Sequence, residues 1–327
     1  MNPARPEQDV IARAASVLRA GGLVAFPTET VYGLGANALD AAAVRRIFEA
    51  KGRPANNPLI VHVAEVVAVT SVVADWPPAA SRLAERFWPG PLTLVLPQAP
   101  AVPDVVTGGG PTVAVRIPAH PVARALITAA GVPLAAPSAN RSTRLSPTRA
   151  EHVRHDLDGR IEMILDGGPT PGGLESTVLD LTTTPPSLLR PGLLSVDEIQ
   201  SVIGPIAPKI TSGVPVSGPL PSPGMAGRHY APRAPLELAE NDGWDVVTAH
   251  FRAGRRVGWL SFVATAEQRH PLVTGVVMPA DPTAYAARLY ATLHALDDAG
   301  VDRTVVALPP DTPEWLAVRD RLRRAAG

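Results

Sequence analysis

Apolar positions recur at helical spacing near the N-terminus. Val10, Ile11, Ala14, Val17 and Leu18 line one side of MNPARPEQDVIARAASVLRAGG, and Gly21-Gly22 ends the run. Short β-rich runs follow: LVAF (23–26), PLIVHV (58–63), LTLVL (92–96), TVAVRI (112–117), LAAPS (134–138), IEMILD (161–166) and STVLDL (176–181). Helical patterns at 40–50, 77–88, 120–130 and 147–157 lie between some of them. Several runs are apolar throughout, which suits a sheet covered on at least one face. The pattern predicts an α/β or α+β domain with a mixed sheet over residues 1–203.

The pattern breaks at residues 204–235. GPIAPKITSGVPVSGPLPSPGMAGRHYAPRAP holds eight prolines and five glycines, with too few large apolar groups to make a core. By composition it is a semi-extended linker. The cluster GMAGRHY (224–230) inside it is denser in chemistry than a spacer needs. A second pattern covers 236–327. VGWLSF (257–262) and RTVVALP (303–309) read as buried strands, and TAYAARLYATLHALDDAG (283–300) as an amphipathic helix. This predicts a small, Rossmann-like C-terminal α/β domain.

Composition narrows the function classes. The chain of 327 residues suffices for two domains, and 46% apolar content suffices for their cores. Thirty basic and thirty acidic residues cancel, so an overall electrostatic pull on nucleic acid is absent. The absence of cysteine excludes disulfides, Cys-type zinc sites and thiol nucleophiles. Charges interrupt every turn of the N-terminal helix, unlike a signal peptide. No strongly apolar run reaches membrane-spanning length. The expectation is a soluble, cytoplasmic protein without a membrane partner.

The candidate chemistry sits at strand ends. PTETVYGLGANA (27–38) looks like a phosphate-binding turn, and GLGANA matches the relaxed pattern G-x-G-x-x-[GA]. Six residues separate it from the preceding strand, however, where a dinucleotide fold has the first glycine directly after the strand. A purely structural turn fits equally well. In KGRPANNPLIVHV (51–63), Lys51, Arg53, Asn56, Asn57 and His62 surround one turn, which suits an anion. The cations could also serve only the helix dipole, and His62 could be a core residue. Arg116 lies in a strand between Val115 and Ile117, where arginine needs an anion, either a ligand or an internal partner. Ser138, Asn140, Ser142, Ser146, Ser176, Thr177 and Arg190 add hydroxyl, amide and guanidinium groups. No catalytic triad order, HExxH helix or carboxylate cage is present, so no metal site is predicted. The residues alone point to an α/β domain that binds a polyanion such as a nucleoside triphosphate.

The ordered set PTETVYGLGANA, KGRPANNPLIVHV, WPGPLTLVL, VRIPAHP, PSAN, SPT, ESTVLDL and RPG resembles the YrdC-like family. SPGMAGRHYAPRAPL and the C-terminal region are similar to its longer, two-domain branch. The resemblance covers almost the whole chain. It implies a twisted mixed-sheet domain joined by a Pro/Gly-rich linker to the smaller domain. It implies synthesis of L-threonylcarbamoyladenylate from L-threonine, bicarbonate and ATP, for threonylcarbamoyladenosine on tRNA. Lys51, Arg53, Ser138 and Asn140 match the family's K-x-R…S-x-N tetrad. The family pattern further assigns Arg53, Asn57, Thr112, Ser138, Ser146, Arg190 and Tyr230 to ATP. It assigns Thr30, His62, Arg116, the main chain at Ala136, and Ser176 to threonine. Mg²⁺ is expected, held mainly by phosphates and water. The implied partners are downstream tRNA threonylcarbamoyl transferase proteins, with weak tRNA contact.

Two departures stand out. Ala226-Gly227 replaces a basic or aromatic pair between PGM and RHY, and Thr143 stands where the family often has glycine. The linker has two readings. It is a lid in which Arg228, His229 and Tyr230 fold over ATP, or a tether whose aromatic residues dock on either domain. Three rival functions compete with synthesis. The first is a non-catalytic RNA-binding YrdC-like protein, which the zero net charge disfavours. The second is a hydrogenase-maturation carbamoyl transferase, which the missing Cys-rich zinc segments disfavour. The third is a regulatory relative without activity, which the intact tetrad disfavours.

Overall fold

The computed structural model describes residues 7–208, 220, 229–263 and 270–327. The chain divides into two units. The first comprises residues 1–142 and 146–226, the second residues 143–145 and 227–327.

In the first unit the helices are α1 (Gln8–Arg19), α2 (Ala41–Lys51), α3 (Pro78–Phe87), α4 (Asp104–Thr107), α5 (Pro121–Ala130), α6 (Ala150–Leu157) and α7 (Val196–Ile203). The strands are β1 (Val24–Phe26), β2 (Gly33–Asn37), β3 (Ile60–His62), β4 (Leu92–Pro97), β5 (Thr112–Arg116), β6 (Leu134–Ala135), β7 (Met163–Ile164), β8 (Thr177–Asp180), β9 (Ser187–Arg190) and β10 (Ala207–Pro208). They form one mixed sheet in the order β10-β9-β8-β4-β5-β3-β6-β2-β1-β7. The pairs β3–β5 and β4–β8 are parallel, while β4–β5, β3–β6 and β1–β2 are antiparallel. Every run read as a strand forms one, usually shorter than the apolar run. The cause is that only part of each run meets a neighbouring strand.

Helices α1 and α5 cover one side of the sheet. Ile11, Ala14, Ala15 and Leu18 of α1 meet Val122, Ala123, Leu126 and Ile127 of α5 over Val24, Phe26, Leu134 and Ala136. A second cluster joins Ile60, Val95, Ala114, Val178 and Leu189 across five strands. Such burial explains why these strands are apolar rather than alternating.

The resemblance of 27–38 to a phosphate turn is corrected in part. GLGAN is the strand β2, paired antiparallel with β1 and β6. A Cβ on Gly35 would lie 2.8 Å from Cε1 of the fully buried Phe26. The glycine therefore admits a neighbouring aromatic ring, not a phosphate. Strand β9 and helix α7 are among the elements that the apolar periodicity does not predict. The latter starts with a capping box in which Ser195 and Glu198 satisfy each other's backbone N–H groups.

The second unit has α8 (Trp244–Arg252), α9 (Pro282–Asp298) and α10 (Leu316–Ala326) around β11 (Leu236–Ala239), β12 (Val257–Ser261), β13 (Val273–Val277) and β14 (Arg303–Ala307). The strands are all parallel in the order β11-β14-β12-β13. The layering is Rossmann-like, but the order is not that of a dinucleotide-binding half. Trp259, Val257, Val247, Ala239 and Val305 form a core cluster there.

Residues 209–219 and 221–228, with Arg228, lie outside the described residues, and so does the reading of that segment as a lid. His229 and Tyr230 belong to the second unit, which thus begins before the expected position 236. The Tyr230 ring is 2% exposed and stacks on Tyr290 at 5.9 Å, with the Arg321 guanidinium 5.1 Å from its centroid. Burial of this ring and an ion pair between Arg233 and Asp298 (2.9 Å) tie the segment to α9 and α10. Among the described residues no helix is long and apolar enough to cross a membrane.

Thr143, the departure from glycine, has φ 70°, a left-handed conformation that a β-branched residue resists. Its carbonyl accepts the Ala231 N–H at 2.9 Å, which helps hold it there. Thr143→Gly is expected to stabilise the protein by about 1 kcal/mol, the relieved strain less the added unfolded-state entropy. A rise in the thermal midpoint checks this, and a fall refutes it.

Candidate functional site

The last residues of the parallel strands β3 and β5 are His62 and Arg116, which are register partners. Ligand sites commonly form beyond such carboxyl ends. Arg116 is 3% exposed. Both its Nη atoms donate to Thr30 Oγ1 at 3.1 Å. Thr28 Oγ1 donates to Val31 O at 2.6 Å and lies 2.7 Å from Thr30 Oγ1. With the Thr28 proton so used, Thr30 donates to Thr28 and turns its lone pairs to Arg116. The Glu29 carboxylate approaches Arg116 Nη2 at 2.8 Å through Oε1, while Oε2 accepts the Ala119 N–H at 3.1 Å. Sequence reasoning missed Glu29. Its signal is that it is the single charge in the stretch 23–39, where a buried arginine elsewhere lacks a partner.

The loop that carries these groups is held from several sides. Tyr32 N–H donates to Pro147 O, and Ala139 N–H to Tyr32 O, both at 2.8 Å. Gly172 N–H donates to Glu29 O at 2.9 Å, and Gly173 N–H to Thr30 O at 3.1 Å. Ala136 N–H donates to Ile60 O at 2.9 Å, which places its main chain beside β3.

A second group forms where α2 ends. Lys51 Nζ donates to the main-chain oxygens of Ser138 (2.6 Å) and Asn140. Three of the four predicted tetrad residues thus meet, through the lysine side chain and two backbone carbonyls. Arg53 turns to its own loop, with Nε on Asn57 O (3.0 Å) and Nη2 on Asn57 Oδ1 (2.6 Å) and Pro58 O (2.7 Å). Burial pushes the Lys51 ammonium well below its usual pKa, and the neighbouring Arg53 charge adds to this.

A third group joins β8, β9 and the loop before α6. Arg190 Nε donates to Ser176 O and Nη2 to Ser176 Oγ, both at 3.0 Å. Ser176 Oγ is 2.8 Å from Thr93 Oγ1. Ser146 Oγ donates to Glu175, a buried carboxylate that the sequence reading also missed. A Cβ on Gly192 would fall 2.3 Å from Thr177 N and 2.5 Å from Ser176 C. The glycine of RPG therefore lets the chain after Arg190 lie directly on Ser176.

Arg116, Thr30 and His62 are together, as are Lys51, Ser138 and Asn140, Arg53 and Asn57, and Ser176 and Arg190. Thr112 opens β5 and Arg116 closes it, so they stand roughly 13 Å apart at ~3.3 Å per residue. Tyr230 belongs to the second unit, packed on Tyr290. The histidine is held neutral: burial, with help from the Arg116 charge, lowers the His62 pKa to about 3. Its Nδ1 is 3.2 Å from Ile60 O. The arrangement can bind anions by buried guanidinium groups and orient them with hydroxyls, without an acid–base pair.

Comparison with known proteins adds to this geometry. A family model described as telomere recombination (Sua5_yciO_yrdC) matches residues 16–192. A second, described as threonylcarbamoyl-AMP synthase, C-terminal domain, matches residues 194–327. The chain is 47% identical to a threonylcarbamoyl-AMP synthase of Bacillus subtilis, over 97% of this chain and 93% of that one. It is also 47% identical to the protein of that name from Pyrococcus abyssi, over 99% and 96% of the two chains. The crystal structure of P. abyssi Sua5 complexed with L-threonine superimposes with a TM-score of 0.91 at 46% identity, covering 98% of this chain and 95% of that one.

The depressed His62 pKa makes a stability prediction. Between pH 6.5 and about 3 the unfolded chain binds a proton at this site that the folded chain refuses. Stability therefore falls as pH drops through that window. Thermal midpoints measured from pH 7 to 4.5 should decline less steeply in His62→Gln than in the parent. Equal slopes would show that His62 carries no such linkage.

Proposed function

This chain belongs to the Sua5/YciO/YrdC family, and on that premise we propose that it joins L-threonine, bicarbonate and ATP into L-threonylcarbamoyladenylate, releasing pyrophosphate. The observation that carries the reading is the buried Arg116 guanidinium beside Thr30 and His62. A guanidinium at a dry strand end has a fork suited to a carboxylate. In the same reading Ala136 offers main-chain groups and Ser176 a hydroxyl to threonine. Arg53, Asn57, Thr112, Ser138, Ser146 and Arg190 serve ATP, and Lys51 with Asn140 completes the tetrad; Tyr230, whose ring is buried against Tyr290 and Arg321 in the second unit, is not given that role.

The threonine amine takes up carbon dioxide derived from bicarbonate and gives a carbamate. A carbamate oxygen then attacks the α-phosphorus and pyrophosphate leaves, which makes the protein a nucleotidyltransferase. Chemistry of this kind needs positioning and charge neutralisation more than proton transfer. That fits a site whose histidine is held neutral and in which Arg53, Arg116 and Arg190 supply fixed positive charge. Among the described residues no cluster of three or more His, Asp or Glu side chains is placed to hold a metal ion. In the same reading Mg²⁺ comes with the triphosphate, whose charge it would screen, held by phosphate oxygens and water. The product is an activated acyl-adenylate, so a transferase acting on tRNA adenosine must consume it. The reaction is placed in the cytoplasm because ATP and tRNA are supplied there.

Two measurements test the reading. Pyrophosphate release should require both L-threonine and bicarbonate. Equal release with threonine omitted, or release of orthophosphate alone, overturns the reaction. Arg116→Ala should weaken threonine binding by about 2–5 kcal/mol, the range for breaking a buried charge pair, and change ATP binding much less. Calorimetry that finds unaltered threonine affinity in the folded variant refutes the role of Arg116.

A further inference from the structure

Arg116 and Glu29 do not satisfy each other. Their 2.8 Å approach is an ion pair without a hydrogen bond. Among the described residues Glu29 Oε1 has no hydrogen-bond donor and Arg116 Nε has no acceptor. One buried pair thus lacks one donor on its anionic side and one acceptor on its cationic side. The remaining polar atoms are engaged, with Arg116 Nη1 and Nη2 on Thr30 Oγ1 and Glu29 Oε2 on the Ala119 N–H. The Glu29 side chain is 13% exposed against 4% for Arg116, so the carboxylate is the member nearer to solvent.

Charge leads to the same place. The neighbouring His62 is neutral, so one cation and one carboxylate sum to zero. A ligand with only a carboxylate would bring a second negative charge beside Glu29. Like charges in a poorly solvated site cost several kcal/mol. A ligand carrying an ammonium group and a carboxylate on one carbon supplies the missing donor and the missing acceptor together, at no net charge. Resting on the threonine reading above, we infer that Glu29 accepts a hydrogen bond from the α-ammonium group of the amino acid while Arg116 holds its carboxylate. Glu29 would then orient the nitrogen that becomes the carbamate, and would reject hydroxy acids that lack an amine.

Calorimetric titration of the full chain separates this from other roles. The ligands are L-threonine and 3-hydroxybutanoate, which keeps the carboxylate and hydroxyl but lacks the amine. The parent should prefer threonine. In Glu29→Gln the ratio of the two affinities should fall by about tenfold or more, the loss of one ion pair in a desolvated site. Threonine should weaken while 3-hydroxybutanoate holds or improves. Glu29→Asp, with the carboxylate drawn back by one methylene, should give a smaller fall of the same kind, and decides the matter if the Gln variant does not fold. Parallel weakening of both ligands would mean that Glu29 only positions Arg116. Parallel tightening would mean that it competes with the ligand carboxylate. Either result overturns the inference and leaves the threonine reading intact. A parent that binds no threonine would overturn both.

Discussion

The ends of β3 and β5 depend on one constraint: a guanidinium buried in a sheet must be matched. Arg116 cannot lose its charge, and its side chain is nearly closed to water. Its surroundings follow from that. The chain after β1 turns back so that Thr30 presents lone pairs and Glu29 a carboxylate. Thr28 fixes the hydroxyl of Thr30 by accepting its hydrogen bond and donating its own to Val31 O. His62, the register partner, stays neutral because a second cation there would face both burial and repulsion.

The other predicted groups are organised by backbone rather than by side-chain pairs. Lys51 satisfies two carbonyls of the 138–140 loop, and Arg190 reads both the carbonyl and the hydroxyl of Ser176. Arg53 fixes the turn at Asn57 and Pro58. Buried carbonyls need donors, and a long side chain ending in several N–H groups can serve more than one at once. Glycine makes such loops possible where chains touch. Gly192 lies on Ser176, and Gly172 lies on the Glu29 carbonyl, 2.7 Å from where its Cβ would stand. A small residue in these motifs therefore marks close approach of chain to chain.

The second unit shows the same economy with different means. Tyr230 has a positive φ and a buried ring between Tyr290 and Arg321. Ring burial and aromatic contact offset a backbone conformation that costs of order 1–2 kcal/mol. Thr143 holds a similar conformation at the residue whose carbonyl accepts the Ala231 N–H. Both strained residues stand next to each other in the one unit, at the joint between Arg144 and Ala231.

The periodicity of apolar residues determined the helices α1, α2, α3, α5 and α9 and the strands from LVAF to STVLDL, because burying one face requires a regular spacing whatever the neighbours are. The ordered motifs determined the family, and the bare Arg116 between Val115 and Ile117 announced that an anion must come to it. Tertiary structure alone decided which anion the chain itself supplies. Glu29 lies 87 positions from Arg116, and nothing local distinguishes a carboxylate that faces water from one that faces a buried cation. Tertiary structure also decided that GLGAN is a strand, since the reason is the ring of Phe26 in the paired strand. It decided that Tyr230 stacks on Tyr290, 60 positions away. Local pattern carries the preferences of each residue for helix, strand or turn. Partnership between distant side chains is set by where strands pair and loops return, and only the folded chain contains that.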